Sequence, residues 1–179
     1  MKKITQIALI FIAIAATAQE KMVSYMGITN FEASIPLFEE VKAINEKTTC
    51  ILLTKTGEIA CWINIKDFKF KRDLMQEHFN KNYMESNRFP RAVFKGKIDK
   101  FDLQKLTTTN NQYQITGKIT IRGRTKKIAV NGTLKKVDKG IELYSAFPLN
   151  TDDFNIEIPF IVRSKISKNV NTQIICVLE

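Results

Sequence analysis

The chain has 179 residues, with 28 lysines and arginines against 18 aspartates and glutamates, and a formal charge of +10. That length suits one domain with a sizeable core, and a single histidine, His78, excludes a multi-histidine metal centre and leaves no spare base for a nucleophile. The charge comes without groove-reading or nuclease motifs, so no nucleic-acid partner is expected; lysines at alternating positions (Lys95 and Lys97, Lys118, Lys126-Lys127, Lys135-Lys136) read as a solvated sheet face.

In chain order, Met1-Lys2-Lys3 is a short basic start, Ile7 to Ala16 is an apolar run, and Ala16-Thr17-Ala18 sets small residues where signal peptidase reads them. The expectation is a signal peptide over 1–18, cleaved after Ala18, leaving a single domain over 19–179. The run is too short to span a bilayer, so no integral membrane span is expected after cleavage. No cysteine follows the small residues, and a lipid-modified N-terminus is not indicated. The expected location is periplasmic or secreted.

Strand patterns follow. "GITNFEASI" places Phe31, Ala33 and Ile35 on one side. "TTCILLTKTGEIACWINI" reads as a hairpin around Thr56-Gly57, with Ile59, Cys61, Ile63 and Ile65 on one face. A four-residue loop, Thr54 to Gly57, would set Cys50 opposite Cys61 and permit a disulfide; a two-residue loop would offset them. All three cysteines, Cys176 included, could equally be small buried apolar residues. Ala92, Phe94, Gly96 and Ile98 alternate with lysines in "RAVFKGKIDKF"; Ile115, Gly117, Ile119 and Ile121 share a face in "YQITGKITI"; Ile128, Val130, Gly132 and Leu134 do so in "KIAVNGTL"; and Ile141, Leu143, Ser145, Phe147 and Leu149 do so in "GIELYSAFPL". "NTQIICVLE" is too apolar to assign a face.

Parallel strands would need helical crossovers, and almost none are available, so the sheet is antiparallel. One apolar face and no helical layer force it to fold on itself. The expected class is all-β: a lipocalin-like antiparallel barrel of about eight strands, coiled where Gly96, Gly117 and Gly132 interrupt the apolar face. A membrane barrel would point apolar residues outward, and the lysine-dense polar faces argue against it.

"DFKFKRDLMQEHFNKNYMES" breaks the period of two. Phe70, Leu74, Met75, His78 and Phe79 share one helical face, with Asp67 as N-cap and Asn80 or Asn82 as stop. In a barrel with short turns elsewhere, such a helix must cap an open end, either as a fixed plug or as a lid. His78 reads as a packing residue, since no partner cluster surrounds it.

No CxxC, HExxH, GxSxG or P-loop occurs. Asp152-Asp153 reads as turn or cap chemistry ahead of an apolar strand. No catalytic set, metal site or cofactor is expected.

Several segments, in order, resemble the YceI-like polyisoprenoid-binding family in its secreted bacterial form: "TGEIACWINIKDFKFKRDLMQEHFNKNYMES", "RFPRAVFKGKI", "ITGKITIRGRTKKIAVNGTL" and "DDFNIEIP". The resemblance implies a barrel holding a long isoprenoid or similar lipid. The family's histidine-bearing first strand reads "GITNFEASIP" here, without histidine. The expected ligand-facing interior comprises Phe31, Ile63, Ile65, Phe94, Ile98, Ile119, Ile121, Val130, Leu143 and Phe147, with Met75 and Phe79 closing the mouth. The same residues also suit a solid core, which would make the protein a packed interaction barrel with no lipid. A homodimer is a further partner to test.

Overall fold

The computed structural model describes residues 20–179, so the expected signal segment lies outside the described residues. The alternating segments form nine strands: β1 (Lys21–Ser34), β2 (Lys42–Leu53), β3 (Glu58–Asn64), β4 (Lys69–Phe70), β5 (Arg91–Ile98), β6 (Asn111–Ile121), β7 (Arg124–Val137), β8 (Gly140–Asn150) and β9 (Ile166–Leu178). Eight of them make a closed up-and-down antiparallel barrel. Successive strands pair from β1 round to β9, β3 pairs directly with β5, and β9 returns to β1. Closure satisfies both edges of every strand. The two-residue β4 only extends β2 at Ala43 and Ile44.

The inward faces are those the alternation marks. Thr172, Ile174, Cys176 and Leu178 supply the inward set of β9, and Val177 is exposed. Leu53 pairs with Glu58, leaving the four-residue loop; Cys50 then faces Cys61, and the two are joined as a disulfide. Gly57 takes φ +71 in that turn, where an added Cβ would sit 2.8 Å from Phe101 Cβ.

The two barrel ends differ. At one end the links are the Thr54–Gly57 turn, residues 99–110 and the β7–β8 turn. Here Ile98, Leu106, Leu134, Ile141, Leu143 and Leu178 pack with the three cysteines, and Phe101 and Leu103 lie against them. This half is solid. At the other end the connections are long: residues 35–41 between β1 and β2, 65–90 between β3 and β5, and 151–165 between β8 and β9.

The insert departs from expectation. Asp67 ends a short 3-10 turn, Ile65–Asp67, instead of capping the helix. Phe70 belongs to β4. The helix, α1, is only Asp73–His78, begins after Arg72 without a side-chain cap, and widens into a π turn at Phe79–Tyr83. Leu74 is 61 % exposed, so the buried face is narrower than the spacing suggests. Residues 155–159, expected to start a strand, run irregularly between two 3-10 turns, Thr151–Phe154 and Phe160–Val162. Asn150 does supply the cap there, accepting from the Asp152 amide at 2.9 Å.

Candidate functional site

The half of the barrel under the long connections encloses a cavity of about 380 Å³. Aliphatic and aromatic side chains form most of its wall. Ile63, Ala92, Ile119, Ile121, Ile128 and Val130 come from β3, β5, β6 and β7; Phe147 and Leu149 come from β8; and Val170 and Ile174 come from β9. These are strand residues whose period of two turns them inward.

The mouth is built from the insert and the β8–β9 segment. Phe31 of β1 anchors an aromatic cluster: its ring lies 5.2 Å from Phe68, 5.7 Å from Phe70 and 5.4 Å from Phe79, and Phe70 and Phe79 are 5.0 Å apart. Edge and offset contacts of this kind add to the stability gained by burial alone. They hold the end of α1 across the opening, with Met75 and Phe79 facing the cavity and Met84 buried behind them. On the opposite side Phe154, Ile156 and Ile158 fill in from the β8–β9 segment.

A clasp fixes that second side. Arg122, in the β6–β7 turn, pairs with the Glu85 carboxylate of the insert and donates to the Asn155 carbonyl of the β8–β9 segment. All three residues take positive φ, at 47°, 45° and 54°. Such backbone is uncommon for non-glycine residues, and here three loops meet to hold it.

The floor is formed by Phe94 with Ile59, Cys61, Ile115 and Leu143 of the packed half. Phe94 packs against both the solid half and the cavity half. Its ring covers the facing pair Gly96 and Gly117, where an added Cβ would come within 2.6 Å and 2.7 Å of Phe94 Cζ. Gly96 and Gly117 thus make room for a ring, and Gly132 for Ile115, whose Cδ1 would lie 2.8 Å from an added Cβ.

Polar groups on the wall are few. Thr29 Oγ1 is bonded to Thr48 at 2.7 Å, and Ser145 Oγ donates to the Asn131 carbonyl at 2.7 Å. Thr151 Oγ1 has no protein partner. The titratable side chains on the wall are His78 and Tyr83, both from the insert, and burial pushes the Tyr83 phenol up. Glu77 is engaged by Lys81 at 2.6 Å, which holds its carboxyl below the usual range. Among the described residues no cluster of three metal-ligating side chains occurs.

Of the residues singled out in the sequence, Phe31, Ile63, Ile65, Met75, Phe79, Phe94, Ile119, Ile121, Val130, Leu143 and Phe147 all line this one cavity. Ile65 does so from the 3-10 turn after β3, not from a strand. Ile98 does not line it: it lies fully buried in the solid half, because β5 runs from mouth to closed end and Ile98 is its last residue. Sequence reasoning missed Phe154, Ile156, Ile158, Val162 and Ile166. The apolar alternation of "FNIEIP" was the available signal, and the 3-10 turns around it concealed where it leads.

The chain belongs to the YceI-like domain family, whose model matches residues 14–178. The fold is that of a polyisoprenoid-binding domain from Saccharophagus degradans implicated in plant cell wall breakdown, with TM-score 0.76 at 13% identity over 89% of this chain and 97% of that one. BcnA of Burkholderia cenocepacia matches with TM-score 0.69 at 16% identity over 85% and 96%. A YceI protein of Campylobacter jejuni matches with TM-score 0.60 at 17% identity over 80% and 88%. No curated protein matches the chain by sequence.

Proposed function

We propose that this protein is a periplasmic or secreted, non-catalytic carrier that holds one long apolar amphiphile inside its barrel: a polyisoprenoid, an isoprenoid quinone or a similar lipid. The observation that carries this reading is the apolar cavity in the mouth half of the barrel. A barrel serving only as a scaffold would fill that half as densely as the other. The wall chemistry also orients the guest. Thr29 and Ser145 are already bonded, so the cavity wall offers only isolated hydroxyls such as Thr151 and Thr172, and no charged group, to a charged or strongly polar head. The apolar tail goes in first, and the head stays among the insert residues near His78 and Tyr83.

Native mass spectrometry of protein purified from its own host, without detergent, tests the reading. A discrete adduct with the mass of a long-chain lipid, lost after organic extraction and regained on adding polyprenyl phosphate or quinone, is the expected result. Protein that leaves its host empty and takes up neither lipid would defeat the carrier reading and return the packed interaction barrel. Tryptophan quenching is a poor alternative, because Trp62 lies on the outer face of β3, flanked by the inward-facing Cys61 and Ile63.

A further inference from the structure

We propose that the open end of the barrel docks on an anionic lipid bilayer, and that the ligand passes between bilayer and cavity there. This rests on the carrier reading and adds where the carrier meets its lipid. Five large apolar side chains stand in water on the rim: Leu37 (103 % exposed), Phe38 (44 %), Leu74 (61 %), Phe160 (84 %) and Ile161 (85 %). They come from three separate segments, namely the β1–β2 connection, α1 and the 3-10 turn before β9.

The three segments share one end of the barrel. Ser34 at the end of β1 pairs with Ile166 at the start of β9, and Arg72 before α1 reaches Glu39 of the β1–β2 connection at 2.5 Å. Each segment also sends a neighbouring side chain into the cavity: Val41, Met75 and Val162 respectively. The exposed tips are therefore continuous with the cavity wall. Isolated exposed apolar residues need no explanation, but a ring of them around a cavity mouth marks an interaction surface. The other large exposed apolar residues, Tyr25, Met26, Tyr144 and Val177, lie on strands along the barrel wall.

Charge selects the partner. Lys71, Arg163 and Lys165 are exposed on the same rim and take part in no ion pair among the described residues. The rim acids Glu39, Glu40 and Glu77 are matched by Arg72, Lys42 and Lys81, while Asp73 and Glu157 are exposed without an ion pair among the described residues, so three unmatched cations stand against two unmatched acids. Arg163 sits over the Phe160 ring, 6.0 Å from its centroid. Apolar tips flanked by unmatched cations suit the boundary between acyl chains and anionic head groups. Docked there, the cavity opens onto the acyl region and a lipid tail crosses no water.

Vesicle co-sedimentation tests this. Wild type should sediment with vesicles of equal parts phosphatidylcholine and phosphatidylglycerol, less in high salt, and poorly with phosphatidylcholine alone. The double variant Phe160→Ser/Ile161→Ser replaces no cavity wall residue. It should bind the anionic vesicles at least about tenfold more weakly while its melting temperature and its lipid adduct in native mass spectra stay as in wild type. Lys71→Gln/Lys165→Gln should lose the preference for anionic vesicles. Wild type that ignores both vesicles, or a serine variant that binds like wild type, overturns the proposal even if the lipid adduct is present. Loss of self-association in the serine variant, with no vesicle binding by wild type, would assign the rim to a second copy of this chain instead. An absent adduct in wild type, read separately, would strike at the carrier reading alone.

Discussion

The thiol sulfur of Cys176 on β9 lies 3.2 Å from Sγ of Cys50, which is bonded to Cys61 on β3. Three sulfurs thus meet in the solid half, two from the β2–β3 hairpin and one from β9, and Gly27 of β1 leaves the space: a Cβ there would strike Cys176 Sγ. Burial pushes the Cys176 thiol up to about 12, outweighing a Ser24 contact that lowers it. The attacking species in thiol–disulfide exchange is the thiolate. At neutral pH the native protein therefore keeps one pairing despite the close third sulfur. Alkylation by iodoacetamide should label no cysteine in the native protein and one on unfolding.

The same shift sets a pH dependence. Below about pH 9 both native and unfolded thiols hold their proton, and Cys176 adds no slope. Above it the unfolded chain loses a proton that the native state keeps until about pH 12, so stability falls across that window by up to ~1.4 kcal/mol per pH unit. Urea unfolding of wild type and Cys176→Ala at pH 7.5 and pH 10 checks this. The decline should be shallower in the alanine variant, and equal declines would place the alkaline loss elsewhere.

Gly117 faces Gly96 across β5 and β6 beneath the Phe94 ring. A Cβ at Gly117 would come 2.5 Å from the Lys95 carbonyl oxygen and 2.7 Å from Gly96 Cα, both backbone atoms that cannot rotate away. Gly117→Ala should cost about 1–3 kcal/mol in chemical denaturation, against the usual gain from replacing glycine in a strand. A neutral or stabilising result would mean that the two strands lie further apart than described.

Phe147 and Phe154 both line the cavity but differ in burial. Phe147 is half-buried, while Phe154 is 1 % exposed and packs with Met84, Phe68 and Ile65 in the mouth-side cluster. Phe154→Ala should lose about 3–5 kcal/mol of stability. Phe147→Ala should lose less than Phe154→Ala and release lipid more readily. If Phe147→Ala destabilises as much as Phe154→Ala and leaves lipid content unchanged, the cavity is filled in solution.

The barrel was readable because its information is local and periodic. Alternation at Ile115, Ile119 and Ile121, or at Ile141, Leu143 and Ser145, fixes which face turns inward whatever the partner strand. The first half of β2 escaped that reading because its inward positions include Asn45 and Thr48, fully buried polar residues. Asn45 is satisfied by donating to the Asn64 carbonyl at 2.9 Å and Thr48 by Thr29, and neither partner is visible along the strand itself. The site was legible to the same extent as the strands. Ile98 misled because period assigns a face but not a depth, and only the strand direction puts it at the closed end. The mouth was least legible: Phe154, Ile156 and Ile158 enter it from irregular backbone, where no period operates.

α1 is the element whose motion matters most to a carrier, and its construction predicts how it moves. It has six residues, no side-chain N-cap and no fully buried residue. A helix that short has little stability of its own. Its hold on the barrel comes from Phe79, through Phe31, Phe68 and Phe70, and from the Arg72–Glu39 pair, whose side chains are 65% and 45% exposed. An ion pair that exposed contributes little. Arg122 clasps the far end of the same insert, at Glu85, to the β8–β9 segment at Asn155, and leaves α1 itself outside the clasp. That construction predicts a lid hinged at Phe79, and exchange measurements decide between it and a fixed plug. Amide hydrogen exchange at Asp73 to His78 should be at least about a hundredfold faster than in β6 and β7 without lipid, and should slow when lipid is bound. Met75→Trp, facing the cavity, should shift its emission to shorter wavelength on adding lipid, since the ring then leaves water for an acyl chain. Exchange as slow as in the strands in both states, with an unchanged Trp spectrum, would leave only the plug, and ligand entry would then have to use another opening.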